Sequence, residues 1–131
     1  MRLLLDTHIW LWSLLEPERL AGPVSRRLED PANELWLSPI SVWEALLLAE
    51  RGRVEFDREP SVWLDAELRK VPLRDAPLNR EVALRSRTVD LPHQDPADRF
   101  LVATAAVYDL TLVTADERLL GASGYRVLAN R

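Results

Sequence analysis

The sequence predicts an α/β fold, a three-layer α/β/α sandwich around a central parallel sheet of four to five strands. Short apolar runs that stop at an acid or a cap residue alternate along the chain with longer helical stretches, the order that places parallel strands between helices. At 131 residues, with no repeat, low-complexity tract or linker, the chain reads as one domain over residues 1–131.

Arg2 to Leu5 is the first such run and ends at Asp6-Thr7, the mark of a buried strand that stops at an acid. Helices are expected from Thr7 to Leu15 and from Pro17 to Glu29, the second closed by Pro31. Leu35-Trp36-Leu37 is the next strand. It runs into Ser38-Pro39, a cap and first-turn proline that open a helix to Arg51, which Gly52 ends. Residues 52–60 are the most loop-like segment, and a helix follows from Pro60 to Arg69. The proline of Val71-Pro72-Leu73 places that weaker strand at a sheet edge or strand end. Pro77 to Thr88 and Pro96 to Tyr108 read as helices, the latter opened by Asp95-Pro96. Thr111-Leu112-Val113 is a buried strand running into Thr114-Ala115-Asp116, and a last strand is expected near Tyr125 to Leu128.

Apolar residues at 47% and charged residues at 29% describe a folded globular chain. The absence of cysteine excludes disulfides and thiolate metal ligands, and suits a reducing cytosol. Asp6 interrupts the opening apolar run, and no stretch reaches the roughly 18 apolar residues of a membrane span. The expectation is therefore a cytoplasmic protein without signal peptide or membrane association. A net charge of −4 argues against broad phosphate binding, yet all but Lys70 of the 17 basic residues are arginine, the side chain best shaped for phosphate. An acidic metal pocket would itself bias the total downward, so charge leaves a nucleic-acid partner open.

The acids carry the chemistry. In an open parallel sheet, ligands bind where strand carboxyl ends meet helix amino ends, and Asp6 and Asp116 both fall there. Each is equally readable as a helix cap. Glu44 sits in Ile40-Ser41-Val42-Trp43-Glu44-Ala45-Leu46-Leu47-Leu48-Ala49, apolar nearly all round and so expected to be buried, where a carboxylate needs a partner or a metal. A capping box from Ser41 to Glu44 is the bland alternative, but Ser38-Pro39 makes the better helix start. Asp98 stands one turn inside an equally apolar helix, facing the same way as Leu101 and Ala105, while Asp95 reads mainly as that helix's cap. The βαβ order brings Asp6, Glu44, Asp98 and Asp116 to one sheet edge, and four such carboxylates cannot all stay ionised without cations. Oxygen-only ligands favour Mg²⁺ or Mn²⁺, one or two ions, and a pair about 4 Å apart is the usual arrangement for phosphodiester hydrolysis.

Four segments carry a resemblance that spans nearly the whole chain: Leu4-Leu5-Asp6-Thr7-His8; Ser38-Pro39-Ile40-Ser41-Val42-Trp43-Glu44; His93-Gln94-Asp95-Pro96-Ala97-Asp98-Arg99-Phe100-Leu101-Val102-Ala103; and Leu112-Val113-Thr114-Ala115-Asp116. Together they resemble the PIN-domain family and, within it, the VapC-like toxin ribonucleases of type II toxin–antitoxin systems. The one variation is Ala97, where many relatives carry a bulkier residue. The resemblance implies a PIN-like fold, with Asp6, Glu44, Asp98 and Asp116 as catalytic metal-binding acids. It makes Thr114 and Thr7 hydroxyl neighbours and Asp95 a secondary acid; Arg99, from its place next to Asp98, is a further candidate for contacting phosphate or pairing with a site acid, balanced against a structural role. It implies hydrolysis that leaves a 5′-phosphate and a 3′-hydroxyl on structured RNA such as tRNA or rRNA. It also implies a VapB-like antitoxin partner and a homodimer.

His8 and His93 lack metal-ligand spacing and read as structural hydrogen-bonding residues. Arg26, Arg27, Arg51, Arg53, Arg80, Arg85 and Arg87 include the expected RNA contacts among a mostly solvated set. The first helix carries Ile9, Trp10, Leu11, Trp12, Leu14 and Leu15, more apolar surface than one sheet face covers. Core packing is the first reading for most of the tryptophans, and Trp10 or Trp12, with Trp43 and Trp63, is the candidate groove for an antitoxin segment or second copy. A response-regulator receiver domain would need a phosphoacceptor after its third strand, for which neither Leu35-Trp36-Leu37-Ser38 nor Val71-Pro72-Leu73-Arg74 supplies a good candidate, and the only lysine, Lys70, is not in the expected late strand. A haloacid-dehalogenase-like phosphatase would need a second aspartate two places after Asp6, where this chain has His8. The remaining alternative is a PIN-like module that binds RNA or protein without cleaving it.

Overall fold

Leu3, Leu4 and Leu5 point alternately to opposite sides of one strand, yet at most 2% of each is exposed, so helices must cover both faces. The computed structural model describes residues 1–121 and 123–131. Five parallel strands, β1 (Arg2–Leu5), β2 (Glu34–Leu37), β3 (Leu73–Asp75), β4 (Thr111–Thr114) and β5 (Arg126–Ala129), form a sheet in the order β3-β2-β1-β4-β5. The register pairs Leu5 with Val113 and Leu4 with Trp36, setting the carboxyl ends of β2, β1 and β4 side by side.

On one face Leu3, Leu5 and Val113 pack against Ile9, Trp10 and Leu11 of α1 (Thr7–Leu15), Val24 of α2 (Gly22–Glu29), Ala45 of α3 (Pro39–Glu50) and Trp63 and Leu64 of α4 (Pro60–Leu68). On the other, Leu4 and Leu112 meet Leu101, Val102 and Ala105 of α6 (Pro96–Tyr108), against which α5 (Arg80–Ser86) packs. Each fully buried leucine contributes on the order of 2 kcal/mol through removal from water. The three-layer α/β/α arrangement is thus the one expected, with five strands.

Local chemistry moved several boundaries. The helix expected from Pro17 to Glu29 is a 3-10 turn at Pro17–Arg19 followed by α2. Pro23 has no N–H and is tolerated only in a first turn, so the helix restarts around it, with extended Ala21 as cap. Helix α5 begins at Arg80 rather than Pro77, because the Asn79 side chain accepts the Val82 N–H at 3.0 Å and takes the cap. Pro72 lies just ahead of β3, which is an edge strand as its proline requires. Helix α3 departs from the expected full burial: only Ser41 and Ala45 are buried, and Trp43 is 53% exposed.

The tryptophan groove also does not form as expected. Trp10 and Trp63 are core residues, Trp63 stacked on Phe56 with centroids 4.2 Å apart, whereas Trp43 is exposed on α3. Among the described residues no helix is long and apolar enough to cross a membrane.

Arg99 does not reach the acid cluster, contrary to the expectation from its place beside Asp98. Its buried guanidinium donates instead to the carbonyls of Ser86 (2.8 Å), Leu91 (3.0 Å), His93 (3.1 Å) and Val89 (3.4 Å). Arg99 therefore ties the segment between α5 and α6 to the first turn of α6, supplying donors to carbonyls that lack helix or sheet partners. Arg99→Leu removes all of these donors at similar volume. Urea unfolding should show a loss of about 3 kcal/mol, and an unchanged midpoint would remove this role from Arg99.

Candidate active site

Asp6 extends β1 by one residue, its N–H donating to the Val113 carbonyl at 3.0 Å, and then turns the chain into α1 as its cap. Its Oδ1 accepts the Thr7 N–H at 2.7 Å and its Oδ2 accepts the Thr114 hydroxyl at 2.6 Å. Thr114, the last residue of β4, also accepts the Asp116 N–H on Oγ1 at 3.0 Å. One buried hydroxyl thus couples the acids that follow the two central strands.

Thr7 couples Asp6 to the next acid. Its Oγ1 donates to Glu44 Oε1 at 2.6 Å and lies 2.9 Å from the Ser41 hydroxyl. Ser38 caps α3 by accepting the Ile40 N–H at 3.1 Å, so Glu44 lies beyond the first turn and shares a face with Ser41, three residues earlier. The Ser41–Glu44 capping box is therefore not formed. Residue type and helix start agree: a small buried hydroxyl at 41 leaves room for the carboxylate at 44.

Asp95 caps α6, accepting the Ala97 N–H at 3.0 Å and the Asp98 N–H at 3.4 Å, with Pro96 in the first turn. Asp98 is itself 8% exposed. Its Oδ2 lies 3.4 Å from Arg118 Nη2 and 3.6 Å from His93 Nε2, a buried nitrogen without a hydrogen-bond partner among the described residues. Asp116 caps the 3-10 turn Glu117–Leu119 by accepting the Arg118 N–H at 2.9 Å. The same carboxylate takes the Arg118 guanidinium, Nη2 at 2.8 Å from Oδ2 and Nε at 3.1 Å from Oδ1.

The four acids do not share one electrostatic state. Burial pushes Asp6 above the usual carboxylate range, against the lowering effect of the Thr114 hydroxyl. Burial likewise raises Glu44, against the lowering effect of Thr7. Asp98 is pushed up to about 7, first by burial and then by repulsion from Asp95, Asp6 and Asp116. Asp116 moves the other way, held below the usual range by its bond from Arg118, whose own proton is held correspondingly tighter.

Asp6, Glu44, Asp95, Asp98 and Asp116 line one cleft of about 450 Å³, together with His8, Trp12, Arg19, Ala115 and Arg118. The expected acids are therefore brought together, with Thr7 and Thr114 beneath them, while Arg99 is not. The donors are all oxygen apart from the flanking histidines, a set that suits hard divalent cations. Among the described residues no three His, Asp or Glu side chains already stand as a coordination shell. Arg118 and Ser41 were not anticipated. The signal for Arg118 was the Asp-x-Arg spacing after β4, because a 3-10 turn folds the second residue back over the acid that caps it. Trp12 lines this cleft, with the Arg19 guanidinium 4.2 Å above its ring.

Comparison with known proteins bears on the family and the fold. The sequence profile of the PIN domain matches residues 3–124. Ribonuclease VapC22 of Mycobacterium tuberculosis is 37% identical over 119 residues, covering 88% of each chain. Among solved structures, VapBC2 from Rickettsia felis bound to a promoter DNA fragment aligns with a TM-score of 0.73 at 16% identity, covering 98% of both chains. FitAcB from Neisseria gonorrhoeae aligns with a TM-score of 0.67 at 22% identity over 98% of this chain and 97% of that one. At those identities the structures bear on the fold. VapBC-5 from Mycobacterium tuberculosis, described as a member of the VapBC family of toxin-antitoxin systems, aligns with a TM-score of 0.63 at 17% identity over 98% of both. The profile match over most of the chain, the identity to the mycobacterial protein and the shared fold lead to one conclusion: this chain belongs to the PIN domain family.

Proposed function

We propose that this protein is a divalent-metal-dependent endoribonuclease, the toxin of a toxin–antitoxin pair, which hydrolyses phosphodiester bonds of structured cellular RNA such as tRNA or rRNA. The observation that carries the reading is the convergence of Asp6, Glu44, Asp98 and Asp116 on a single cleft. The ribonuclease relative supports the substrate class.

Asp6, Glu44, Asp98 and Asp116 are the residues that would hold one or two ions, Mg²⁺ or Mn²⁺. A bound divalent ion would neutralise the crowded carboxylates and supply Lewis acidity toward water and the phosphodiester. The chain's own part is positioning. Thr114 and the Thr7 N–H fix both oxygens of Asp6, and the Thr7 hydroxyl fixes Glu44. This holds ligands in place before substrate arrives. Asp95 sits on the α6 cap and adds negative charge beside Asp98. In the reaction a water oxygen bonds to phosphorus and the bond to the 3′ oxygen breaks, leaving a 5′-phosphate and a 3′-hydroxyl.

The setting implied is the cytoplasm, with a VapB-like antitoxin and a second copy of the chain as partners. Apolar surface is available to them, with Trp43 53%, Val62 55% and Leu84 68% exposed.

Incubation of the partner-free protein with total RNA and Mn²⁺, Mg²⁺ or EDTA should yield discrete, metal-dependent cuts. Asp6→Ala, Glu44→Ala, Asp98→Ala and Asp116→Ala should each lower the rate at least about a hundredfold while the circular dichroism spectrum stays folded. Wild-type rates in all four variants would refute the site. RNA retained without metal-dependent cleavage would favour a non-cleaving interaction module instead.

A pH dependence follows from Asp98. The folded chain holds this proton up to a pH of about 7, whereas the unfolded chain releases it near 3.8. Between those values the unfolded state binds fewer protons, so this group makes stability fall as pH rises through the window. The melting temperature of the metal-free protein should accordingly decline from about pH 4 to 7 more steeply in wild type than in Asp98→Asn. Mn²⁺ affinity should climb over the upper part of the same range, because the ion needs the ionised carboxylate. Parallel melting profiles for the two proteins would contradict the assignment.

A further inference from the structure

The acids of the cleft are satisfied in two different ways. Asp6 and Glu44 accept bonds from uncharged hydroxyl and backbone donors. Asp98 and Asp116 share a cation that the chain supplies, Arg118, whose Nη2 lies 2.8 Å from Asp116 Oδ2 and 3.4 Å from Asp98 Oδ2. We propose that Arg118 is a built-in occupant of the metal position: in the metal-free protein it pairs with Asp116 and stands against Asp98, a divalent ion displaces it, and the released guanidinium takes a phosphate of the RNA. The proposal rests on the metal-dependent nuclease reading given above.

The geometry permits this exchange. The backbone of residue 118 is anchored, its N–H bonded to Asp116 Oδ1 at 2.9 Å within the 3-10 turn, so only the side chain needs to move. That side chain is 60% exposed at the cleft, which leaves it free to swing without opening the core. An ion bound to the same carboxylates repels the guanidinium and removes its partners. The next anion to enter the cleft is the phosphodiester, which the planar fork of arginine fits in two-point contact. Arg118 should therefore oppose metal binding and favour RNA binding. Arg19 is the built-in comparison: it lines the same cleft, but it pairs with Glu16 at 3.6 Å and stacks over Trp12, touching none of the four acids.

Calorimetric titration of metal-free wild type, Arg118→Gln, Arg19→Gln and Asp6→Ala with Mn²⁺ tests the exchange, with thermal melts confirming that each variant is folded. Arg118→Gln is expected to bind Mn²⁺ about three- to tenfold more tightly than wild type, and Arg19→Gln within about twofold of it. For an RNA that the wild type cuts, KM should rise about threefold or more in Arg118→Gln. Unchanged Mn²⁺ affinity in Arg118→Gln, or an equal gain in Arg19→Gln, overturns the displacement. Tighter Mn²⁺ binding with unchanged KM overturns the transfer to phosphate. If wild type binds no Mn²⁺, or Asp6→Ala binds it as well as wild type does, the metal-dependent reading itself falls and takes this proposal with it.

Discussion

The structure depends on how much negative charge one sheet edge can hold. Asp6 and Asp116 follow the two central strands, and Glu44, Asp95 and Asp98 enter from helices that begin there, so five carboxylates line one cleft. In water such groups would separate. Here they are fixed to rigid elements, and burial with mutual repulsion raises Asp6, Glu44 and Asp98 while Arg118 lowers Asp116. A protein keeps such a cluster folded only by supplying donors, protons or cations, and this one uses all three.

The donors come from the connections that also end the strands. Asp6, Asp95 and Asp116 each cap a helix or 3-10 turn with the carboxylate that faces the cleft. Capping and chemistry are therefore not competing accounts of these residues. A cap needs an acceptor at the positive end of a helix, and a cation site needs fixed anionic oxygens. The same geometry at a strand's carboxyl end meets both needs. Thr7 and Thr114 extend the arrangement by giving Glu44 and Asp6 one hydroxyl each.

Rigidity under the acids comes from the two apolar layers and from Arg99. The buried guanidinium spends its donors on the last carbonyl of α5 and three loop carbonyls, which holds the approach to α6 and with it the places of His93, Asp95 and Asp98. Two arginines on neighbouring segments thus have opposite settings. Arg99 is enclosed and structural, whereas Arg118 is exposed and ionically paired with the acids. Solvent access, rather than residue type, separates them.

Much of this was legible in the chain alone, because periodicity and caps are local. Alternating strands and helices specified parallel pairing, Ser38-Pro39 and Asp95-Pro96 marked helix starts, and acids at strand ends fell on one edge by topology. What local patterns do not contain is the direction of a long side chain and the cover available to an apolar face. Arg99 turned from the cleft to the carbonyls of Ser86, Val89, Leu91 and His93. Arg118 turned into it because a 3-10 turn folded it over Asp116. Helix α3, apolar all round in sequence, stayed half-exposed because the sheet covers only one side of it, while Trp10 and Trp63 went inside. The sequence by itself determined which elements form and which acids meet. Only the tertiary structure decided how their charge is balanced, since that depends on distances between segments far apart in the chain.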